Sequence, residues 1–513
     1  MIFLSGFQGT KALVAKIIFL GLINSLLIYM IFVALGKDQT QIASVLIVVA
    51  LGANIVYFSK RTVPLKFLYP GVVLLSVFVL VPVLYTILMS SFTYKTGNEI
   101  AKPDAITQII ETGLETDEAG TAYDMVLGKF ENKYAALVTN QLNGEVSLAT
   151  QKSVTVLLPG SFQKDEYGVA NNYEGFNRLT DEELASADSI IGDLKFPLGS
   201  GQFIAPQSTD VAILLTQAYE YSKQKDEFRN LITGAIYRDN GDGNFANIDD
   251  STDKLTPGWR DFNTFQNYVN LLRDPVLRDP FIGVFIWTFS FALITVLMMF
   301  SVGLLLAIAM DKKIRFRSFY RSILILPYAI PSFMSILIWN GMFNRQFGAV
   351  NQLIGSEIDW LNSPTLAKIV ILIVNLWLGF PYFYLISSGA LQAIPNELEE
   401  AASIDGATPR QVLRLIKLPL LLQILSPLLI ASFAFNFNNF NIVYLLTGGG
   451  PTDVLAGEVA GATDILITYT YKTAFGSNEQ NLGLASSISV IMFLIVGALS
   501  LWSLRRSKVL DSI

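Results

Sequence analysis

Residues 281–310 read FIGVFIWTFSFALITVLMMFSVGLLLAIAM, a run of 30 residues without a charged side chain. About 20 apolar residues are enough for a helix to cross the hydrocarbon core of a bilayer. Inside that core the backbone must satisfy its own hydrogen bonds, and a helix does so within a single segment. The stretch therefore predicts a transmembrane helix.

Seven other stretches are also free of charge and long enough to span a membrane. They are residues 17–36, 39–59, 67–94, 322–344, 369–396, 418–452 and 481–504. Only 15% of the whole chain is charged, whereas soluble proteins average roughly a quarter. The sequence thus predicts an all-α polytopic membrane protein with eight transmembrane helices.

Basic residues indicate which side of the membrane each loop occupies. They cluster in the N-terminal segment, in the loops 60–66, 312–321 and 410–417, and in the tail 505–508. When eight spans are threaded in order, all five clusters fall on the same side. Because loops rich in lysine and arginine stay in the cytoplasm, we expect both termini to be cytoplasmic.

A long acidic segment separates the third and fourth predicted spans. Residues 93–280 contain 29 acidic and 16 basic residues, whereas the rest of the chain contains 13 and 20. The segment is long enough to fold as a domain, with a strand-like piece at 153–158 and helix-like pieces at 210–221 and 262–272. We expect helices one to three in residues 1–92, an inserted α+β periplasmic domain in 93–277, and helices four to eight in 278–513.

One loop of this segment, residues 239–250, is rich in Asp, Asn and Gly. The spacing of an EF-hand calcium loop is missing, because its glycine and its terminal glutamate are misplaced. A plain turn is therefore favoured, and calcium binding stays the minor alternative.

The residue types that are missing exclude several kinds of chemistry. The chain has no cysteine and no histidine, which excludes disulfides, thiolate zinc sites, cysteine nucleophiles and Ser-His-Asp triads. The glycine run at 447–451 lacks the lysine and the hydroxyl residue of a phosphate-binding P-loop. We expect no catalytic residue, no metal ligand, no cofactor and no nucleic-acid partner.

The loop 394–419 differs from an ordinary polar loop because it predicts two short helices. Asn396 is a suitable N-cap for the first helix, and Gly406 ends it. Thr408, with Pro409 and Gln411 behind it, forms a capping box for the second, which we expect to close at Pro419. Both helices carry apolar residues outside the bilayer. They either lie along the membrane interface or form a docking surface for a cytoplasmic partner.

Polar residues within two predicted spans fall on single helical faces. The set on the sixth span is Asn375, Leu378, Gly379 and Tyr382, and the set on the seventh is Ser432, Phe435, Asn436 and Asn439. Amides supply both the donors and the acceptors that sugar hydroxyls need, an aromatic ring suits the C–H face of a sugar, and Gly379 would leave room for a ligand. The alternative is hydrogen bonding between helices, the role that we assign to Asn438 and Asn441.

The loop 394–419 carries a specific resemblance. The run Glu400, Ala401, Ala402, Ser403, Ile404, Asp405, Gly406, followed after nine residues by Ile-Lys-Leu-Pro at 416–419, resembles the EAA loop of permeases in ABC importers. The resemblance implies that this loop is the coupling helix that sits in a cleft of the ATPase subunit.

Along nearly its whole length the chain resembles the MalF-type maltose/maltodextrin permeases. Their pattern matches the eight spans, the insertion after the third span, and the segments 326–333, 375–382 and 431–440. The resemblance implies alternating-access transport of maltose or maltodextrin across the bacterial inner membrane, with the eight polar-face residues binding the sugar. It implies a homologous second permease (MalG-type), two ATPase subunits (MalK-type) that bind ATP and magnesium, and a periplasmic sugar-binding protein.

Other transport and non-transport functions remain open on the sequence. The same faces suit another neutral oligosaccharide. A proton- or sodium-coupled sugar carrier usually places ionisable groups inside the membrane, and the eight stretches have none. A receptor or structural module is a further alternative, but it does not explain why the capped loop and the amide-rich helices occur together.

Overall fold

The computed structural model describes residues 10–37, 39–58, 63–116, 120–186, 191–192, 194–311, 314–452, 460–476 and 480–506 of the chain. It divides into two compact units, Met1–Leu88 and Met89–Ile513. Some of the basic residues used above for orientation, in 59–62, 312–313 and 507–513, lie outside the described residues.

The first unit is built from apolar helices. Its elements are α1 (Thr10–Gly36), α2 (Thr40–Phe58), α3 (Val63–Leu75), a π-helical turn (Ser76–Leu80) and α4 (Val81–Met89), whose last residue begins the second unit. Helices α1 and α2 are joined by reciprocal amide hydrogen bonds of 3.0 and 2.9 Å between Asn24 and Asn54. This pairing satisfies both amides inside an otherwise apolar hairpin.

Among the described residues, two π-helical turns each end two positions before a proline. The Val81 N–H donates to Ser76 O just before Pro82, and the Leu418 N–H donates to Leu413 O just before Pro419. A proline has no N–H to donate, and its ring crowds the carbonyl four residues earlier. Widening the turn accommodates the ring, so the helix continues through each proline.

All strands of the described chain lie between Phe92 and Phe262. They are β1 (Phe92–Thr93), β2 (Leu114–Thr116), β3 (Ala122–Phe130), β4 (Lys133–Asn140), β5 (Val146–Thr150), β6 (Val154–Val156), β7 (Phe162–Lys164), β8 (Ala170–Tyr173), β9 (Phe176–Arg178), β10 (Phe196–Gly199), β11 (Gln202–Pro206), β12 (Val211–Gln217), β13 (Tyr219–Ser222), β14 (Glu227–Asn230), β15 (Ile236–Asp239), β16 (Phe245–Asn247) and β17 (Asp261–Phe262).

These strands form an antiparallel, sheet-rich insert. A nine-stranded sheet has the order β10-β11-β12-β3-β4-β5-β6, with β2 paired to β12 and β9 paired to β3. A four-stranded sheet, β13-β14-β15-β16, packs with α5 (Lys102–Thr112) around a second core that includes Phe228 and Trp259. Where the chain enters and leaves the insert, β1 pairs with β17, so that the two ends of the insert meet at Phe92 and Phe262.

The insert corrects one helix prediction and agrees with one strand prediction and one helix prediction. Residues 210–221 form β12 and β13 instead of a helix, because Ala212 and Leu214 alternate with less buried neighbours at the two-residue period of a strand. Strand β6 lies within 153–158, and a helix, Gln266–Arg273, lies at the end of 262–272.

The acidic loop after β15 is a turn, and two of its carboxylates are paired with lysines. Lys102 Nζ lies 2.7 Å from Asp239 Oδ2 and 2.6 Å from Asp226 Oδ2, and Lys95 Nζ lies 3.2 Å from Asp242 Oδ2. The Asn240 side chain accepts the backbone N–H groups of Asp242 and Asn244. These contacts engage one oxygen each of Asp239, Asn240 and Asp242, and they are the local hydrogen bonds and ion pairs of a plain turn.

The other helices are numbered on from α5. They are α6 (Asp181–Ser186), α7 (Gln266–Arg273), α8 (Pro275–Asp311), α9 (Arg317–Ala329), α10 (Ser332–Met342), α11 (Ala349–Ile354), α12 (Pro364–Gln392), α13 (Asn396–Ile404), α14 (Pro409–Val412), α15 (Leu418–Phe437), α16 (Phe440–Thr447), α17 (Leu466–Phe475) and α18 (Leu482–Arg506).

The number of helices that could span a membrane differs from the predicted eight. Six helical segments of the described chain are long and apolar enough, and α9 with α10 would make a seventh if this pair, bent by 90°, counts as one span. The apolar segment Ile42–Phe58 is shorter than the others. The protein is therefore a polytopic membrane protein with six or seven clear spans.

Helices α8 and α12 form the centre of the second unit. Gly303 permits their close approach, because a Cβ there would collide with Phe383 and with the backbone of Tyr384. Buried apolar residues then continue on both sides of this contact. One cluster includes Phe291, Val370 and Val374, and another includes Phe383 and Leu421.

The loop 394–419 agrees only in part with its prediction. Helix α13 begins at Asn396 and has Pro395 at the N-cap, so Asn396 does not cap it. The capping box of Thr408 and Gln411 is present. Helix α14 does not close at Pro419, because the second π turn carries it into α15. We call this continuous segment, Pro409–Phe437, the long helix.

Candidate functional site

A cavity of about 670 Å³ opens between α12, the long helix, α16 and the bend between α9 and α10. It contacts every residue of the two polar faces that the sequence indicated. These are Asn375, Leu378, Gly379, Tyr382, Ser432, Phe435, Asn436 and Asn439. Asn375 and Tyr382 lie near the middle of the 29-residue helix α12. The structure therefore brings the two faces to one central cavity, and their binding role remains a prediction.

The two most buried amides of the cavity are joined by a hydrogen bond. Asn375 Nδ2 donates to Asn436 Oδ1 at 2.8 Å, and Asn436 Nδ2 donates to Ser432 O at 2.8 Å. Asn375 is 3% exposed and Asn436 is 2% exposed. Both interpretations of these residues thus have structural support, because the same side chains line the cavity and join two helices.

Asn439 lies where the predicted seventh span is broken. The long helix ends at Phe437 and α16 starts at Phe440, so Asn439 precedes a new helix instead of continuing the old one. Asn441, which the sequence assigned to hydrogen bonding between helices, lies just after this break and also lines the cavity. Asn438 does not line the cavity, and its Nδ2 donates to Ala434 O at 3.2 Å.

Aromatic rings provide accessible surface next to these amides. Phe435 is 69% exposed and Tyr328 is 58% exposed, although both belong to apolar helices. Tyr382 is half-buried on the α12 side. None of the described residues that line the cavity is charged. The surface combines hydroxyl and amide groups with aromatic faces, which suits a neutral polar ligand.

The bend between α9 and α10 supplies lining residues that the sequence analysis missed. Residues 328–332 line the cavity, and α10 starts after Pro331. In the sequence, residues 322–344 form a single uninterrupted charge-free stretch. The signal was present in Pro327 and Pro331, because proline disfavours a helical conformation at the residue before it.

Gly379 has a packing role in addition to its place in the cavity wall. A Cβ at this position would collide with the Met299 side chain of α8. The missing side chain therefore makes room for Met299, and both Met299 and Gly379 line the cavity.

Comparisons with known proteins place the chain in a family. A family model described as a binding-protein-dependent transport system inner membrane component matches residues 299–507. The maltose/maltodextrin transport system permease protein MalF of Vibrio vulnificus (strain YJ016) is 33% identical over 511 residues, covering 98% of this chain and 96% of the relative. The chain belongs to the MalF permease family.

Further MalF relatives show similar values. The protein from Vibrio cholerae is 34% identical, covering 95% of this chain and 93% of the relative. The protein from Klebsiella aerogenes is 31% identical, covering 95% and 96%. A solved bacterial ABC transporter for the acidic polysaccharide alginate aligns with a TM-score of 0.41 and 20% identity over 48% of this chain and 83% of that chain. A similarity this low supports no argument.

Family membership makes the chain a permease subunit of an ABC importer, which is a transport protein and not an enzyme. Within this MalF-family chain, Glu400–Gly406 lies at the surface of the second unit. Ile404 is 86% exposed, which is unusual for a residue of its size and hydrophobicity. Helix α13 ends where Gly406 adopts φ +82°, a left-handed conformation that favours glycine. The segment is therefore a short helix with a defined end and an uncovered apolar side chain.

Proposed function

We propose that this permease translocates maltose and maltodextrins by alternating access, and that the central cavity is its transport site. The supporting observation is the composition of the cavity, which combines amides, hydroxyls and exposed aromatic rings without a charge. A neutral sugar needs hydrogen-bonding partners and flat apolar surfaces together. The MalF relatives, whose names specify maltose and maltodextrin, provide the substrate class.

The complete transporter in this proposal contains several other subunits. A homologous second permease would close the other side of the pathway, and two ATPase subunits would bind ATP and magnesium. Their cleft would receive Glu400–Gly406. A periplasmic sugar-binding protein would deliver the sugar. Exposed Ile404 supports the docking of this segment, because an apolar side chain of that size gains free energy when a partner covers it.

The proposed topology has the chain in a bacterial inner membrane with both termini in the cytoplasm. Residues 1–92 would contribute helices one to three, 93–277 the periplasmic domain, and 278–513 the permease core with the coupling loop 394–419. The basic loops support this orientation. Eight spans would follow if α2 and the bent pair α9–α10 each cross the bilayer.

One experiment tests the transport function. The chain would be co-expressed with its neighbouring transport subunits, purified, reconstituted into liposomes with the binding protein, and assayed for uptake of labelled maltose with ATP supplied at the cytoplasmic face. We expect uptake that requires ATP and is insensitive to ionophores. Uptake by the chain alone, driven by a proton or sodium gradient, would contradict the proposal and favour the ion-coupled carrier.

A pair of variants tests the cavity in the same assay. Tyr382→Ala removes a ring from the cavity, and we expect uptake to fall by about two- to ten-fold, because losing one aromatic contact weakens sugar binding by about 0.5–1.5 kcal/mol. Asn438→Ala is the control, since Asn438 is next to Asn439 but does not line the cavity. Equal uptake by both variants would refute the assignment. Preference for a different neutral oligosaccharide would redefine the substrate only.

A further inference from the structure

The loop 394–419 contains an ion pair between its two helical parts. Glu399 Oε2 lies 2.6 Å from Lys417 Nζ. Glu399 belongs to α13, and Lys417 is the last residue of the π turn in the long helix. The Lys417 side chain is 21% exposed and the Glu399 side chain is 48% exposed. The contact is thus partly shielded from solvent, and it bridges two elements that the chain connects only through a turn.

Without this ion pair, α13 would be attached to the long helix at one end only. Helix α13 ends at Ile404, the chain reverses at Gly406, and Thr408 caps the long helix. A reversal of this kind can act as a hinge, because a few residues absorb the change in backbone angles. Glu399 lies five residues before the end of α13, so its contact with Lys417 is a second attachment away from that hinge.

The long helix leads from this attachment directly to the cavity. Lys417 and Ser432 belong to one continuous helix, and at 1.5 Å per residue they are about 22 Å apart along its axis. Ser432 and Asn436 line the cavity on the same helix. A movement of α13 that is passed to the long helix therefore reaches the cavity wall, whereas a movement absorbed at Gly406 does not.

We propose that the Glu399–Lys417 ion pair is a positioning contact that fixes α13 onto the long helix, so that ATPase movement is delivered to the sugar cavity. This inference rests on the proposed transport function. Neither residue belongs to Glu400–Gly406, the segment that would contact the ATPase. The role of the pair is to restrict movement about the hinge at Gly406. The pair does not itself bind the ATPase or the sugar.

The test compares sugar transported with ATP hydrolysed in the complete transporter, reconstituted with its binding protein and labelled maltose. The variants are Glu399→Gln, Lys417→Met and the exchanged pair Glu399→Lys with Lys417→Glu. We expect each single variant to lower the sugar transported per ATP by about two- to five-fold, the range expected for a partly exposed ion pair. The exchanged pair should restore most of the ratio, because it re-forms the contact with reversed charges.

Two controls make the result specific. Glu397→Gln removes a charge from the same helix, at a residue that forms no ion pair with the described residues, and the ratio should stay at the wild-type value. Lys417→Arg keeps the charge, and it should also keep the wild-type ratio of sugar transported to ATP hydrolysed. If a single variant fails to co-purify with the ATPase, the exchanged pair decides. Recovery of assembly supports the contact, and no recovery overturns it.

The outcomes separate this inference from the proposed function. Single variants that keep the wild-type ratio, or an exchanged pair no better than the single variants, would overturn the positioning role while wild-type transport remains ATP-coupled. Wild-type protein that imports maltose without ATP would instead overturn the proposed function itself.

Discussion

Asn375 holds Asn436 across the wall of the cavity, with 2.8 Å between Asn375 Nδ2 and Asn436 Oδ1. This hydrogen bond connects α12 to the end of the long helix. Asn439 Nδ2 lies 3.5 Å from Asn375 Oδ1, at the limit of hydrogen bonding. The three amides therefore differ in how much of their capacity is left for a ligand, and Asn439 has the most.

Variants of two asparagines should separate binding of the sugar from attachment of the helices. Asn436→Ala leaves the Asn375 amide without its acceptor, and we expect a loss of about 1–2 kcal/mol in stability together with reduced uptake. Asn439→Ala should raise the KM for maltose with little change in melting temperature. The measurements are thermal melting of the purified complex and the sugar dependence of uptake. Equal losses of melting temperature in both variants would contradict this division.

Gly379→Ala should destabilise the protein through Met299. The added Cβ collides with the Met299 side chain, and overpacking in a close-packed interior costs about 1–3 kcal/mol. The companion change Met299→Ala should recover part of the melting temperature, since it removes the colliding atoms. A Gly379→Ala protein that is as stable as wild type but binds maltose weakly would show that the glycine serves the ligand after all.

Asp226→Asn should weaken the four-stranded sheet, and the effect should depend on pH. Burial acts to raise the pKa of the Asp226 carboxyl, but the hydrogen bonds from Lys102 and Tyr221 outweigh it and lower that pKa. Because the pKa is lower in the folded state, the carboxylate stabilises the fold above about pH 4, and this contribution is lost as the pH falls through the folded value. We expect about 1 kcal/mol at neutral pH, since the pair is partly exposed.

Hydrogen exchange of the full chain, followed in β13 and β14, measures this change. The loss should be present at pH 7 and should shrink as the pH is lowered. Glu220→Gln is the control on β13, because Glu220 is exposed and forms no ion pair with the described residues. Faster exchange in both variants would show that general loss of negative charge, and not the contact with Lys102, is responsible.

The sequence predicted where the cavity residues meet but not how the helices bend there. Helical spacing placed Asn375 and Asn436 on faces that line the cavity, because both lie in regular helix. The break at Asn438 and Asn439 has no proline or glycine to indicate it, and only the packing of α16 against α10 and α12 decides it. For the same reason the place of Asn441 in the cavity lining was not predicted, and Met299, which comes from another helix, could not be connected with Gly379.

Lys472→Met should destabilise the protein, because it leaves a buried carboxylate without its ion-pair partner. Asp464 is fully buried, and its Oδ2 accepts from Lys472 Nζ and from the Gly461 N–H, both at 2.7 Å. Removing one partner of such a pair costs about 3–5 kcal/mol. Burial raises the pKa of Asp464, and Lys472 offsets part of that rise, so the variant should have a still higher pKa.

The pH dependence of this variant has the opposite sign to that of Asp226→Asn. A carboxyl whose folded pKa is raised binds a proton more readily in the folded state, so stability falls as the pH rises through the folded value. Lys472→Met should therefore melt at a lower temperature at pH 8 than at pH 5.5, when each is compared with wild type. Asp464→Asn combined with Lys472→Met should remove the pH dependence, because no titrating group remains. Identical losses at both pH values would mean that the carboxylate gains another partner when the lysine is removed.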